Sequence, residues 1–473
     1  MISVSSLNRA RKANLNSHRD RIKSSTDWPE VMCLHYDGIS LTDQHEKANQ
    51  EHYVVKVTAG KFVQTLDVLV ANNEEKAKRV SKDYTYAELI ADKLIDIIKF
   101  YDIADRIKLV STDTARVNTG AKGITSFLES KFESVFEISI KLIRLNCKHH
   151  EFQLLLRHSF EEIFGSTAGA REPFLDRFSD LFNNLDASKI EPCETFDEDK
   201  KLELIIFIDS QFQFNTKRAD YKEMLTLAKC FLMRTENPKI VKPGKYNHSR
   251  FIKQLNVCFM IFLFRKQLPS KSFPFSKIEN FCKLALDLYF VQWFQASIPA
   301  YTPLNDLNQF KLINDLPSGK LRTRLLKTCK NHLSYVNPPL VSLSFLDHRI
   351  PKEHKLLMIQ NLSKEPKAFD FDGKTQIYDL INSDCLNFFK TCNLSYDFFN
   401  LSIDDWERDE DFNAARNFVK NLHITNDTTE QTVSTCKFIH SVFGVKNLGD
   451  IVISTESDRH KHGAPTKQSY SKL

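Results

Sequence analysis

No stretch of this chain stays apolar long enough to span a bilayer. The longest candidate, Val257 to Phe264, lies between Asn256 and Arg265, far short of the ~20 residues that a spanning helix needs. No hydrophobic core follows the basic residues near the N-terminus, which argues against a secretory signal. The ten cysteines have no repeating spacing and fall largely within apolar, helix-like runs. They read as small hydrophobes of a reduced, intracellular protein and not as a disulfide framework. Internal repeats and low-complexity tracts are absent as well. So is any net charge on the body. Residues 1–27 carry Arg9, Arg11, Lys12, Arg19, Arg21 and Lys23 against Asp20 and Asp27, and residues 454–473 carry four basic side chains against two acidic ones. The two tails account for the whole formal charge of +6. A strongly basic body would have pointed directly to nucleic acid; composition alone does not.

What is present is a chain of 473 residues, 42% hydrophobic and 27% charged, large enough for more than one folded unit. Residues 1–28 are polar and basic without apolar periodicity and read as a flexible arm. From Val31 to about Phe164, β-rich runs alternate with helical ones. His52–Thr58 and Lys61–Val70 flank Ala59-Gly60 as a hairpin would. Tyr84–Phe100 has helical spacing. A strand over Ile107–Thr112, a helix around Ile124–Phe132, a strand over Ile138–Leu145 and a helix over His149–Phe164 follow. This order predicts an α/β fold. After Gly165-Ser166-Thr167 the chain becomes almost wholly helical to about Leu422, with proline breaks. A helix is expected from Thr428 to about Phe443, and the last residues are polar.

Two carboxylates end β-rich runs: Asp37 closes Val31–Gly38, and Asp113 closes Ile107–Thr112. The third run delivers Cys147-Lys148-His149-His150. Far downstream stand Asn247-His248-Ser249-Arg250-Phe251 and Asn426-Asp427-Thr428-Thr429-Glu430. Taken singly, each has an ordinary reading. One Cys-x-x-His is half of a structural zinc site, which needs four ligands. Asp427 and Glu430 fit a helix capping box. Glu353, after Pro351, is a rival acid that also fits a helix start.

Taken in order, these residues resemble the eukaryotic DDE/D transposases with an RNase H-like core, the hAT superfamily and its relatives being nearest. The resemblance spans roughly residues 29–445. It implies an RNase H-like mixed sheet interrupted by a large all-helical insertion. The divisions would be a basic arm (1–28), the first part of the core (29–165), the insertion (166–422), a helix returning to the core (423–448) and a disordered tail (449–473). Asp37, Asp113 and Glu430 would be the catalytic, metal-holding acids. Cys147, His150, His248 and Arg250 would contact DNA or orient the strand end. Ser249 and Phe251 stand where the family has Ala and Trp, and Gln431-Thr432 where it has Arg-Gly. A DNA-binding module ahead of the core is expected to be missing.

The resemblance implies two Mg²⁺ or Mn²⁺ ions about 3.5–4 Å apart, one activating the attacking oxygen and the other stabilising the leaving one. DNA would be the partner, a homo-oligomer the active form and the nucleus the location, with no membrane involved. Two other readings stay open. One is a domesticated or decaying transposase remnant that binds DNA or protein without catalysis. The other is a simple metal-dependent nuclease on the same core.

Overall fold

A computed structural model describes residues 4–42, 49–71, 84–165, 172–213, 218–235, 238–243, 251–366, 372–425, 427–443 and 452. The described chain is a mixed α/β protein that divides into two units. The first comprises Met1–Cys147, Pro338–Pro366 and Ile381–Leu473, and the second Lys148–Asn337 and Lys367–Leu380.

The first unit is built on five strands: β1 (Met32–Thr42), β2 (Asn49–Ala59), β3 (Phe62–Ala71), β4 (Ile107–Thr112) and β5 (Ile143–Asn146). Their order across the sheet is β3-β2-β1-β4-β5. β1 is antiparallel to β2 and parallel to β4, so the sheet is mixed with the first strand at its centre. β2 and β3 form the expected hairpin, turning at Gly60, whose φ of +61° lies in the left-handed region that glycine adopts without strain.

Alternation along the strands gives the sheet two apolar faces. Met32, Leu34, Tyr36, Tyr53, Val55 and Val57 face helices α2 (Tyr86–Tyr101) and α3 (Ile124–Phe136), which supply Ile90, Leu94, Ile98, Leu128 and Phe132. Ile39, Leu41, Val54 and Val68 lie on the other face with Cys436 and Ile439 of the helix Asp427–Phe443. That helix therefore returns the chain to the sheet. Asn426, expected to open it, lies outside the described residues, as does the tail from 449 on except Val452.

Three expectations are corrected. The segment expected to be a flexible arm contains a helix, α1 (Val4–Ser25), with Ile22 buried against the first core and Arg19 paired with Asp67. The strand bearing Asp37 does not stop there; it runs on to Thr42 because Ile39 and Leu41 keep the buried alternation. The all-helical part begins at Lys148, not 166, and residues 338–366 and 381–422 belong with the sheet. The composition change after Phe164 misplaced the boundary, since the helix before it already packs within the second unit.

That second unit is helical throughout its described length. Its first helix, α4 (Lys148–Phe164), lies against Phe275–Ala285 and Lys320–His332. Helices α5 (Ala219–Leu232) and α6 (Ile252–Leu263) pack together, the latter buried on nearly every side. No helix among the described residues is long and apolar enough to cross a membrane.

Candidate catalytic face of the sheet

Asp37 and Asp113 sit on neighbouring strands. The parallel pairing of β1 with β4 matches Cys33 to Leu109, Leu34 to Val110 and His35 to Ser111. The last of these pairs lies two residues before each aspartate, so both acids stand at the same end of neighbouring strands, Asp113 just past the end of β4. By alternation Asp37 belongs to the face of Ile39 and Leu41, the face that the returning helix covers.

Asp113 is held where the chain leaves β4. Its Oδ1 accepts from the Ala115 backbone N–H at 2.9 Å and from Asn118 Nδ2 at 2.5 Å. This is the local turn that an aspartate forms at the start of a loop. Gly123 closes the loop, because a Cβ there would lie 2.8 Å from the Asn118 carbonyl oxygen. The Asn118-Thr119-Gly120 stretch thus secures the second aspartate.

Glu430 lies in the first turn of the returning helix and is half-buried. Thr429, Thr432, Cys436 and Ile439 form the buried stripe, so Glu430 occupies its flank. The approach to this helix passes His423, whose ring is 6.3 Å from that of His35 and whose Nε2 is 3.0 Å from the Gly60 carbonyl oxygen. Its far end carries His440, within electrostatic reach of His52, the register partner of Ile39.

Chemistry around the aspartates is dominated by burial. His35 is 1% exposed and shares a 2.8 Å hydrogen bond with Thr58 Oγ1. Burial, reinforced by His423 and Lys56, pushes its pKa down to about 3, so it is neutral at physiological pH. Tyr53 is pushed up to about 12, first by burial and then, against a hydrogen bond from Tyr86, by Glu51, Asp113 and Asp37. Tyr53 therefore feels both aspartates. Beside it a cleft of about 390 Å³ is lined by Gly38, Ser40, Glu51, Tyr53, Tyr86 and Val117, and Tyr86 donates to Glu51. Sequence reasoning missed Glu51 and Tyr53, although their alternation with His52 and Val54 in a β-rich run was visible.

The other expected residues fall in one unit, in the other or outside the described residues. Cys147 is buried in the first unit, its N–H donating to the Thr112 carbonyl oxygen at 2.9 Å as a continuation of the β5–β4 pairing. His150 belongs to the first turn of α4 in the second unit. Glu353 is exposed in the first turn of Lys352–Asn361. His248 and Arg250 lie outside the described residues. Among the described residues no group of three or more His, Cys, Asp or Glu is placed to hold a metal ion.

A buried charge cluster was not anticipated at all. Lys148 and Asp306 form a 2.6 Å ion pair, and Lys148 also pairs with Glu151, all three side chains being 4% exposed or less. His149 beside them stacks on Trp293 at 3.9 Å. The Lys-His-His-Glu run reads in sequence as a solvated helix start, and its partner Asp306 is 158 residues away.

Compared with known protein-family models and with curated proteins, the sequence matches none of either.

Proposed function

We propose that the chain is a transposase-like protein with an RNase H-like core, acting on DNA phosphodiesters by strand cleavage and transfer. The observation that carries this reading is the β1–β4 pairing, whose last pair, His35 with Ser111, stands two residues before Asp37 and Asp113 at the centre of a mixed sheet. The helix bearing Glu430 covers the same face after a long helical interruption, as the resemblance requires. Two carboxylates one strand apart repel, so keeping them together points to a task that uses negative charge. On this reading the protein works in the nucleus as a homo-oligomer on DNA ends.

A second reading, DNA binding without cleavage, is favoured by one observation. Asp113 is already engaged in closing its own loop through Ala115 and Asn118, a structural task that explains it without catalysis.

Incubating the full chain with Mg²⁺ or Mn²⁺ and either a transposon-end or a random duplex separates the two. The first reading expects nicking at the end duplex that Asp113→Asn abolishes. The Asn118 and Ala115 bonds to Oδ1 survive in that variant, so the thermal midpoint should move by no more than about 2 °C. Retention of both duplexes without any nicking would leave the binding reading in its place.

A further inference from the structure

In the second unit, α5 and α6 flank a cleft of about 540 Å³, within the 300–1,000 Å³ range usual for small-molecule sites. The segment Lys239–Pro243 forms its third wall. Four lysines line it: Lys222, Lys239, Lys242 and Lys253. None of the four forms a salt bridge among the described residues, although other lysines of this unit do, Lys229 with Asp209 for example. The two acids at the cleft are otherwise engaged. Asp220 is paired with Arg218 at 2.8 Å. Glu223 accepts from Asn256 Nδ2 at 3.2 Å, and burial raises its pKa.

Positive charge is therefore concentrated at the mouth, while the floor is of another character. Val257 and Met260 are buried there beside Asn256, which is 2% exposed. The Asn256 Oδ1 is buried with no hydrogen-bond partner among the described residues. A buried acceptor without a donor is costly, so such groups are rare and usually explained by a missing partner. Lysine ammonium groups on flexible stems hold phosphate oxygens as point charges. An aliphatic floor with one amide suits a flat heterocycle carrying a polar edge.

We propose that this cleft binds a nucleotide unit, its phosphates held by Lys222, Lys239, Lys242 and Lys253 and its base resting on Val257 and Met260 near the Asn256 amide. The unit is either a free nucleotide or one residue of a single strand. The proposal does not rest on the transposase reading, since none of these residues belongs to the sheet.

The test uses the purified full chain and three probes: ATP, a ten-residue single-stranded oligo(dA) and inorganic tripolyphosphate. Calorimetry should find ATP or the oligonucleotide bound at least tenfold more tightly than tripolyphosphate. The tighter of the two identifies the source. Lys222→Ser with Lys239→Ser and Lys242→Ser should weaken that binding at least tenfold, and because these side chains are exposed the fold should be kept, as checked by circular dichroism. Lys271→Ser, outside the cleft, should change nothing. Equal affinity for tripolyphosphate would overturn the base site, and binding indifferent to the three lysine substitutions would overturn the proposal altogether.

Discussion

Lys148 carries a full positive charge into the interior of the helical unit, between Asp306 and Glu151 and 4.9 Å from the centre of the Phe152 ring. One ammonium group thus serves two carboxyls. Burial, opposed by Lys148 and reinforced by Asp306, raises Glu151 to about 8, and burial raises Asp306 too. Glu151 therefore keeps its proton to a higher pH than an exposed carboxyl does. A carboxyl whose folded pKa is raised binds its proton more tightly in the folded state. Its contribution to stability is complete below the ordinary Glu value near 4.5 and is lost as pH rises through about 8. The unfolding free energy of the full chain should fall across that window, by at most about 1.4 kcal/mol per pH unit. Glu151→Gln should flatten the fall, and equal slopes in the two proteins would count against a raised Glu151. Lys148→Met, by contrast, leaves two buried carboxyls unpaired and should cost about 3–5 kcal/mol in denaturant unfolding. Nothing local in the sequence announces this group, because its parts come from helices far apart in the chain. Asp37 and Asp113 were legible because each terminates or interrupts a recognisable β-rich run.

Among the elements, α1 combines two roles that its sequence did not separate. Its C-terminal half docks through Ile22 and the Arg19–Asp67 pair, whereas Arg9, Arg11 and Lys12 lie in the N-terminal half. Removing the whole segment would therefore mix loss of charge with loss of core. Replacing only Arg9, Arg11 and Lys12 with alanine should reduce the dependence of DNA affinity on salt, the logarithmic slope falling by about 0.9 for each phosphate that is no longer neutralised. An unchanged slope would show that this half of the helix does not touch DNA. The returning helix depends on few side chains. Ile439→Ala removes a buried residue of a small cluster and should cost about 2–4 kcal/mol, with faster hydrogen exchange concentrated over residues 427–443. The hairpin, α2 and β4 could be read closely from sequence, since periodicity and the Ala59-Gly60 turn agree. β5 could not. The run from Ile138 alternates like a strand, yet pairing starts only at Ile143, opposite Leu109, because β4 offers just six residues. Ile138 and Ile140 pack instead at the margin of the first core.

At the scale of the whole chain, sequence order disclosed the alternation of a sheet with a long helical interruption but not its limits. Helix α4 resembles the helices before it and those after it, and only its packing against Phe275–Ala285 and Lys320–His332 assigns it to the second unit. Likewise, the short helical turns at Leu340–Leu346 and between Ser383 and Arg408 look in sequence like more of the insertion, whereas they belong with the sheet. The covering of Ile39, Leu41, Val54 and Val68 by Cys436 and Ile439 bears on how the protein is made. A ribosome completes the three strands β1–β3 well before the helix that covers this face, which follows much later in the chain. At about 5–20 residues per second, the apolar face waits on the order of 20–70 s for its cover. Each nascent chain thus passes through a long interval in which a hydrophobic sheet surface is open to neighbouring chains. Newly made protein should accordingly depend on chaperones that bind during translation, and slowing elongation downstream of Ala71 should raise the fraction that aggregates.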